Sequence, residues 1–154
     1  MADPCCIPGY PRLPRGAVLS WGGNTAALLE ILATNSGSSN INQNQTRFLG
    51  FGGAEFSASE PDVEILWTRA GICRNLYVRA FVNGRPNATP VTVRRNGANT
   101  ILLVSIPAGS TALVTDLVNS FAVVAGDRLS VGVVTGATAG ALGQVKVSME
   151  FVPT

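Results

Sequence analysis

Few residues of this 154-residue chain could do chemistry. It contains no histidine, which removes the commonest general base, catalytic-triad partner and metal ligand. No Gly-x-Ser-x-Gly motif and no phosphate-binding Gly-rich loop with a lysine is present. Glu60, Asp62 and Glu64 would share one face of a strand, where a solvated face is a more common finding than a calcium site. We therefore expect no enzyme, no cofactor and no metal site.

Three cysteines are the most reactive side chains. Cys5 and Cys6 are adjacent, and neighbouring cysteines bridge each other only with strained geometry. Cys73 stands alone in what looks like a strand, and an odd number of cysteines favours pairing between chains. Free thiols are one alternative, and a shared metal site, which would lack a fourth ligand, is another. Because disulfides persist outside the reducing cytosol, linkage between chains predicts an extracellular or surface location.

Charged residues are scarce, at 13% of the chain with a net charge of +2. Nucleic-acid binding needs clustered cations, and Arg94-Arg95 is the only adjacent basic pair, so we expect no nucleic-acid partner. No apolar run reaches the length of a membrane span. A soluble monomer usually carries charge on roughly a quarter of its residues. The low charge therefore indicates outer faces that copies of the same chain cover.

The chain divides into two regions. Residues 1–16 contain four prolines, two glycines and the cysteine pair, a composition that predicts an extended N-terminal connector arm. Residues 17–154 are expected to form one domain. Within it, residues 26–33 fit either a short helix or a buried strand, and we expect a strand. Residues 35–46 are polar and are expected to form a loop.

After residue 46 the hydrophobic pattern has a period of two. Val145, Val147, Met149 and Phe151 alternate with polar residues. Leu76, Val78, Ala80 and Val82 point away from Tyr77, Arg79 and Phe81, and Leu129, Val131 and Val133 alternate with smaller residues. Turn signals separate these runs, at Asn83-Gly84, Asn96-Gly97, Pro107-Ala108-Gly109 and Ala125-Gly126-Asp127. Short strands with Gly and Asn turns between them predict an all-β sandwich or closed barrel.

Several segments resemble a known family of bacterial and phage domains. The matching stretches are Arg69-Ala70-Gly71, 75–80, 92–97, 124–131 and 147–151. They are similar to the C-terminal heads of collagen-like glycoproteins of the spore exosporium. The resemblance implies an all-β, jelly-roll β-sandwich. It also implies an alternative function, that of a trimeric C1q/TNF-like head that binds a glycan or a receptor.

A connector with a cysteine pair in front of a jelly roll resembles the subunits of endospore appendages. In that family the connector reaches into a neighbouring subunit and forms disulfides that lock a helical fibre. The resemblance implies that Cys5 and Cys6 are the connector pair and that Cys73 is the candidate acceptor. We expect the arm to dock through Ile7, Tyr10 and Leu13.

The expected function is therefore that of a self-assembling structural subunit of an extracellular filament or of a spore- or cell-surface appendage. Its partner would be another copy of itself, because a head-to-tail contact that does not close generates a fibre.

Overall fold

A computed structural model of the protein describes residues 29–154, which form two antiparallel β-sheets packed face to face. The arm of residues 1–16, with Cys5, Cys6, Ile7, Tyr10 and Leu13, lies outside the described residues. The strands are β1 (Glu30–Asn35), β2 (Asn40–Ile41), β3 (Thr46–Leu49), β4 (Phe56–Ser57), β5 (Ile65–Leu66), β6 (Gly71–Asn83), β7 (Thr89–Arg95), β8 (Ala98–Ile106), β9 (Val114–Val123), β10 (Arg128–Val134) and β11 (Leu142–Pro153).

The two sheets have the strand order of a jelly roll. Sheet A runs β1-β11-β6-β9, with β2 also paired to β11. Sheet B runs β4-β3-β10-β7-β8, with β5 also paired to β10. Among the eight long strands only the β7–β8 hairpin stays within one sheet, and every other connection crosses between the sheets. The predicted all-β jelly-roll sandwich is therefore confirmed for the residues that the structure describes.

The core lies where the period-two alternation of the sequence predicts it. Val145, Val147, Met149 and Phe151 of β11 are all buried between the sheets, as are Leu76, Val78 and Ala80 of β6 and Leu129, Val131 and Val133 of β10. Val82 differs, because β6 there runs past the core towards the Asn83-Gly84 turn and leaves this side chain exposed. Burial of such aliphatic side chains is the main stabilising contribution to a sandwich of this size.

Turn chemistry determines how the strands connect. Asn96 and Gly97 join β7 to β8 and both have positive φ, at 53° and 79°, as a two-residue type I′ hairpin requires. The strand expected over 26–33 is present where the structure describes it, since β1 begins at Glu30. Residues 35–46 are not all loop. They include β2, whose Ile41 is completely buried, so one apolar residue in a polar stretch is sufficient to anchor it to the core.

The prediction that residues 60–64 form a strand was wrong. Glu60, Asp62 and Glu64 do not share a strand face, because Glu60–Asp62 forms a 3₁₀ helix. Pro61 explains the difference, since proline lacks the N–H that a ladder needs and is favoured in the first turn of a helix.

Candidate functional site

An exposed apolar surface lies where an edge of each sheet runs beside the other. β8 is one of the two outer strands of sheet B and β9 is one of the two outer strands of sheet A, and β8 and β9 are in contact. Ile101 and Leu103 on β8 and Leu117 and Val118 on β9 all point into solvent, and Val118 is 91% exposed. We call these four residues the edge patch. Outward positions of a solvated strand normally carry polar side chains, so the edge patch is a candidate interaction surface.

An irregularity in β9 exposes two neighbouring apolar residues. Ser120 pairs with Arg74 and Asp116 pairs with Leu76, so residues 117–119 of β9 lie opposite Asn75 alone. Asn75 adopts a positive φ of 52° at this point. Extra residues in one strand leave the ladder and bulge outward. Leu117 and Val118 therefore both reach the surface, although a regular strand would have turned one of them inward.

Asp116 holds this bulge in place. Its carboxylate accepts hydrogen bonds from the backbone N–H groups of Val118 (3.2 Å) and Asn119 (3.0 Å) and from the Asn119 side chain (3.0 Å). The backbone N–H of Leu103 on β8 also donates to it, at 3.3 Å. Burial of Asp116 raises the pKa of its carboxyl, but these donors together outweigh burial and leave the pKa below its ordinary value. Asp116 is consequently a charged anchor that ties β8 to β9 beneath the edge patch.

The edge patch surrounds a shallow cleft of about 630 Å³ between β8 and β9. Asp116 is the one charged residue of its lining within the described chain, and its oxygens are occupied by the bulge. Such a cleft suits an apolar partner better than an ionic one.

Sequence reasoning missed this surface. The adjacent Leu117-Val118, directly after an aspartate, break the period of two and were the available signal for a bulge. The strand pairing that creates the bulge involves Asn75, which is more than 40 residues away in the sequence. No local sequence pattern reveals such a pairing.

Cys73 is the one predicted site residue that the structure describes. It lies on β6 with its side chain completely buried in the core and is a free thiol. Burial raises the pKa of the thiol to about 12, so the reactive thiolate is strongly disfavoured. No second cysteine lies within residues 29–154, and the pairing of Cys73 with the arm stays a prediction.

The acidic residues of the 60–64 segment bind protein groups and not one another. Glu60 pairs with Arg94 at 2.7 Å and accepts a hydrogen bond from Ser130, and the Arg94 hydrogen bond holds the pKa of Glu60 below its ordinary value despite partial burial. Glu64 pairs with Arg128 at 3.0 Å. Within the described part of the chain, no three histidine, cysteine or acidic side chains converge as metal ligands.

The chain matches no protein-family model, and no curated protein matches its sequence. In residues 29–154 there is no helix with the length and hydropathy that crossing a membrane requires.

Proposed function

We propose that this chain is a self-assembling structural subunit of an extracellular filament or of a spore- or cell-surface appendage. The observation that carries the proposal is the edge patch, four exposed aliphatic side chains on the free edges of both sheets. Exposed, apolar edge strands are the usual sites at which β-proteins associate. The partner is a second copy, because a charge-poor surface of this kind is typical of chains that cover one another.

The contact in this proposal is heterologous. The edge patch of one copy packs against a different surface of the next, and a contact that repeats without closing produces a helical polymer. The arm of residues 1–16 adds a second link, with Ile7, Tyr10 and Leu13 docked on a neighbour. An extended segment of this kind supplies main-chain hydrogen bonds to an open sheet edge.

The covalent link in this proposal belongs to Cys5 and Cys6. The buried Cys73 supports this assignment, because a completely enclosed thiol has to be uncovered before it can attack a disulfide. A disulfide-linked polymer persists in an oxidising environment, which agrees with an extracellular or surface location.

A paired substitution tests the edge patch in the full-length chain. Val118→Asp introduces a charge at the most exposed residue of the patch, and Leu66→Asp makes the same change on β5, where Leu66 is also strongly exposed at 67%. Burying an unpaired carboxylate in a contact is strongly unfavourable. We expect electron micrographs to show fibres for the wild type and for Leu66→Asp, and dispersed particles for Val118→Asp. Fibres of normal length in Val118→Asp would contradict the assignment of the edge patch.

A second experiment tests the arm and the disulfides. Without reductant the wild type should stay polymeric in hot detergent, and a thiol should release monomers of 16.0 kDa. Fibres of the double variant Cys5→Ser/Cys6→Ser should form but dissolve in detergent, and removal of residues 1–16 should abolish them. A wild type that is monomeric by both gel and microscopy would refute the filament.

The alternative is a trimeric head of the C1q/TNF-like kind that binds a glycan or a receptor. An apolar patch on one edge also favours it, because three copies joined by the same heterologous contact can close into a ring. Light scattering separates the two: a uniform trimer without fibres would establish the alternative, and a broad distribution of long polymers would exclude it.

A further inference from the structure

A second surface feature lies on the outer face of sheet A. It is an open cleft of about 480 Å³ that crosses β1, β11 and β6. Ala33, Ser148 and Tyr77 lie side by side in register on these strands and form its floor. The loop at Gly52-Gly53 borders it beside β1, held there by the hydrogen bond from Gly52 N–H to the Ala33 carbonyl (2.8 Å). Its volume is in the range of small-ligand sites.

Two cations occupy one side of this cleft. Lys146 of β11 and Arg79 of β6 are directly opposite each other in the ladder, and both are exposed. Like charges at directly opposed positions of a sheet destabilise it. Both cations lie over the Phe81 ring. The Arg79 guanidinium carbon is 4.5 Å and the Lys146 Nζ is 5.1 Å from the centroid of this ring. A cation–π contact is attractive but leaves the positive charges unneutralised.

No carboxylate of residues 29–154 pairs with either cation. Five ion pairs link charged side chains within residues 29–154, and none includes Arg79 or Lys146. Arg79 donates one hydrogen bond, from Nε to the Thr111 carbonyl at 3.0 Å, and its terminal nitrogens have no hydrogen-bond partner among the described residues. None of the side-chain hydrogen bonds among the described residues uses Lys146, Tyr77 or Ser148. Two cations and two hydroxyls thus line the cleft, and of these four side chains only Arg79, through its Nε, has a hydrogen-bond partner among the described residues.

We propose that this cleft binds an acidic saccharide, with the carboxylate or sulfate of the sugar held between Arg79 and Lys146. A guanidinium and an ammonium together satisfy the oxygens of one such anion with charge-assisted hydrogen bonds. The Tyr77 ring supplies an aromatic surface for a sugar ring, and the Tyr77 and Ser148 hydroxyls pair with sugar hydroxyls. This binding site goes beyond the proposed assembly and does not depend on it.

The chemistry of the cleft selects this ligand class. A neutral apolar ligand would desolvate both cations without compensation. A nucleic acid would need a longer track of cations than the two present here. One anionic sugar unit of a saccharide matches two adjacent charges at one side of a floor that is otherwise uncharged.

Fluorescence anisotropy of the full-length chain tests the site, with a fluorescein-labelled galacturonate hexamer as the acidic probe and labelled maltohexaose as the neutral one. We expect saturable binding of the acidic probe only. Arg79→Gln and Lys146→Gln should each weaken it by about tenfold, the loss expected for one charge-assisted contact. Arg47→Gln is the matched control, because Arg47 lies over the Phe56 ring on β3 and β4, in the other sheet, as Arg79 lies over Phe81.

The outcomes separate the possibilities. Equal weakening by all three substitutions would mean attraction by net charge alone and would overturn the proposal, as would equal binding of the neutral probe. Sodium sulfate that competes at the same concentration as the sugar would reduce the cleft to a bare anion site and refute the saccharide. Retention of most of the affinity in Arg79→Lys, with normal thermal melting of every variant, would support it.

Discussion

Replacing Arg85 by methionine tests how the loop between β10 and β11 is held to the sandwich. Arg85 is 1% exposed, yet no carboxylate in the described chain pairs with it. Its guanidinium instead donates to three backbone carbonyls, those of Thr138 (2.6 Å), Gly140 (2.8 Å) and Gly136 (2.8 Å). Methionine fills a similar volume without a donor, so the substitution removes these hydrogen bonds and little packing.

The magnitude follows from these contacts. A hydrogen bond to a charged group contributes roughly 1.5–3 kcal/mol, and the lower value applies here because residues 136–140 are exposed and water partly replaces the donors. Three such bonds amount to about 4–5 kcal/mol. Nε of Arg85 is buried without a partner, and its removal returns about 1–2 kcal/mol. We therefore expect a net loss of about 3 kcal/mol, or roughly 10 °C in Tm.

Urea unfolding of the full-length chain, followed by tryptophan fluorescence in the presence of reductant, measures this loss. Trp67 is a suitable probe because it packs edge-on against Phe151, with ring centroids 4.6 Å apart in the core. Arg79→Met is the control, since the exposed Arg79 donates a single hydrogen bond and its loss should cost less than about 1 kcal/mol. Arg85→Lys should be intermediate, because an ammonium cannot reach all three carbonyls at once. An Arg85→Met variant as stable as the control would refute the reasoning.

Two further predictions concern titratable groups. Glu60, Asp116 and Asp127 all have a lowered pKa in the folded chain, so the stability they contribute is complete above the unfolded carboxyl pKa, about 4, and is lost as the pH falls below it. Thermal melting should therefore shift to lower temperature as the pH falls below about 4, and less so in Asp116→Asn; a Tm that stays constant there would contradict this. Burial raises the pKa of Cys73 from 9.0 to about 12, so in Cys5→Ser/Cys6→Ser the remaining thiol should react with Ellman's reagent about a thousandfold more slowly when folded than in urea. Complete labelling of the folded variant on mixing would show that Cys73 is accessible and would support its predicted role as the disulfide acceptor.

The fold was largely predictable because its signals are local. The alternation of Val145, Val147, Met149 and Phe151 identified a core strand, and Asn96-Gly97 identified the turn that joins β7 to β8. The incorrect prediction of a strand at residues 60–64 also has a local cause, because Pro61 disfavours a strand there. These features depend on residues a few positions apart, which a sequence displays directly.

The candidate surfaces and the buried position of Arg85 were not predictable, because each depends on distant partners. Arg85 gives no sign of being buried until the carbonyls of residues 136–140 surround it, about 50 positions further along the chain. Arg79 and Lys146 become neighbours only through the register of β6 and β11. A period of two shows that a residue points outward, but not which residue of another strand stands beside it.

In the proposed assembly, the folded domain and the arm have different physical tasks. Aliphatic side chains such as Leu117 and Val118 associate reversibly, so the edge patch can select the correct geometry before anything is fixed. Once two copies are in contact, the cysteines of their arms share a high effective concentration, on the order of millimolar for a short flexible tether. Oxidation then follows assembly and does not direct it. The sandwich would set the symmetry of the polymer, and Cys5 and Cys6 would set how long it persists.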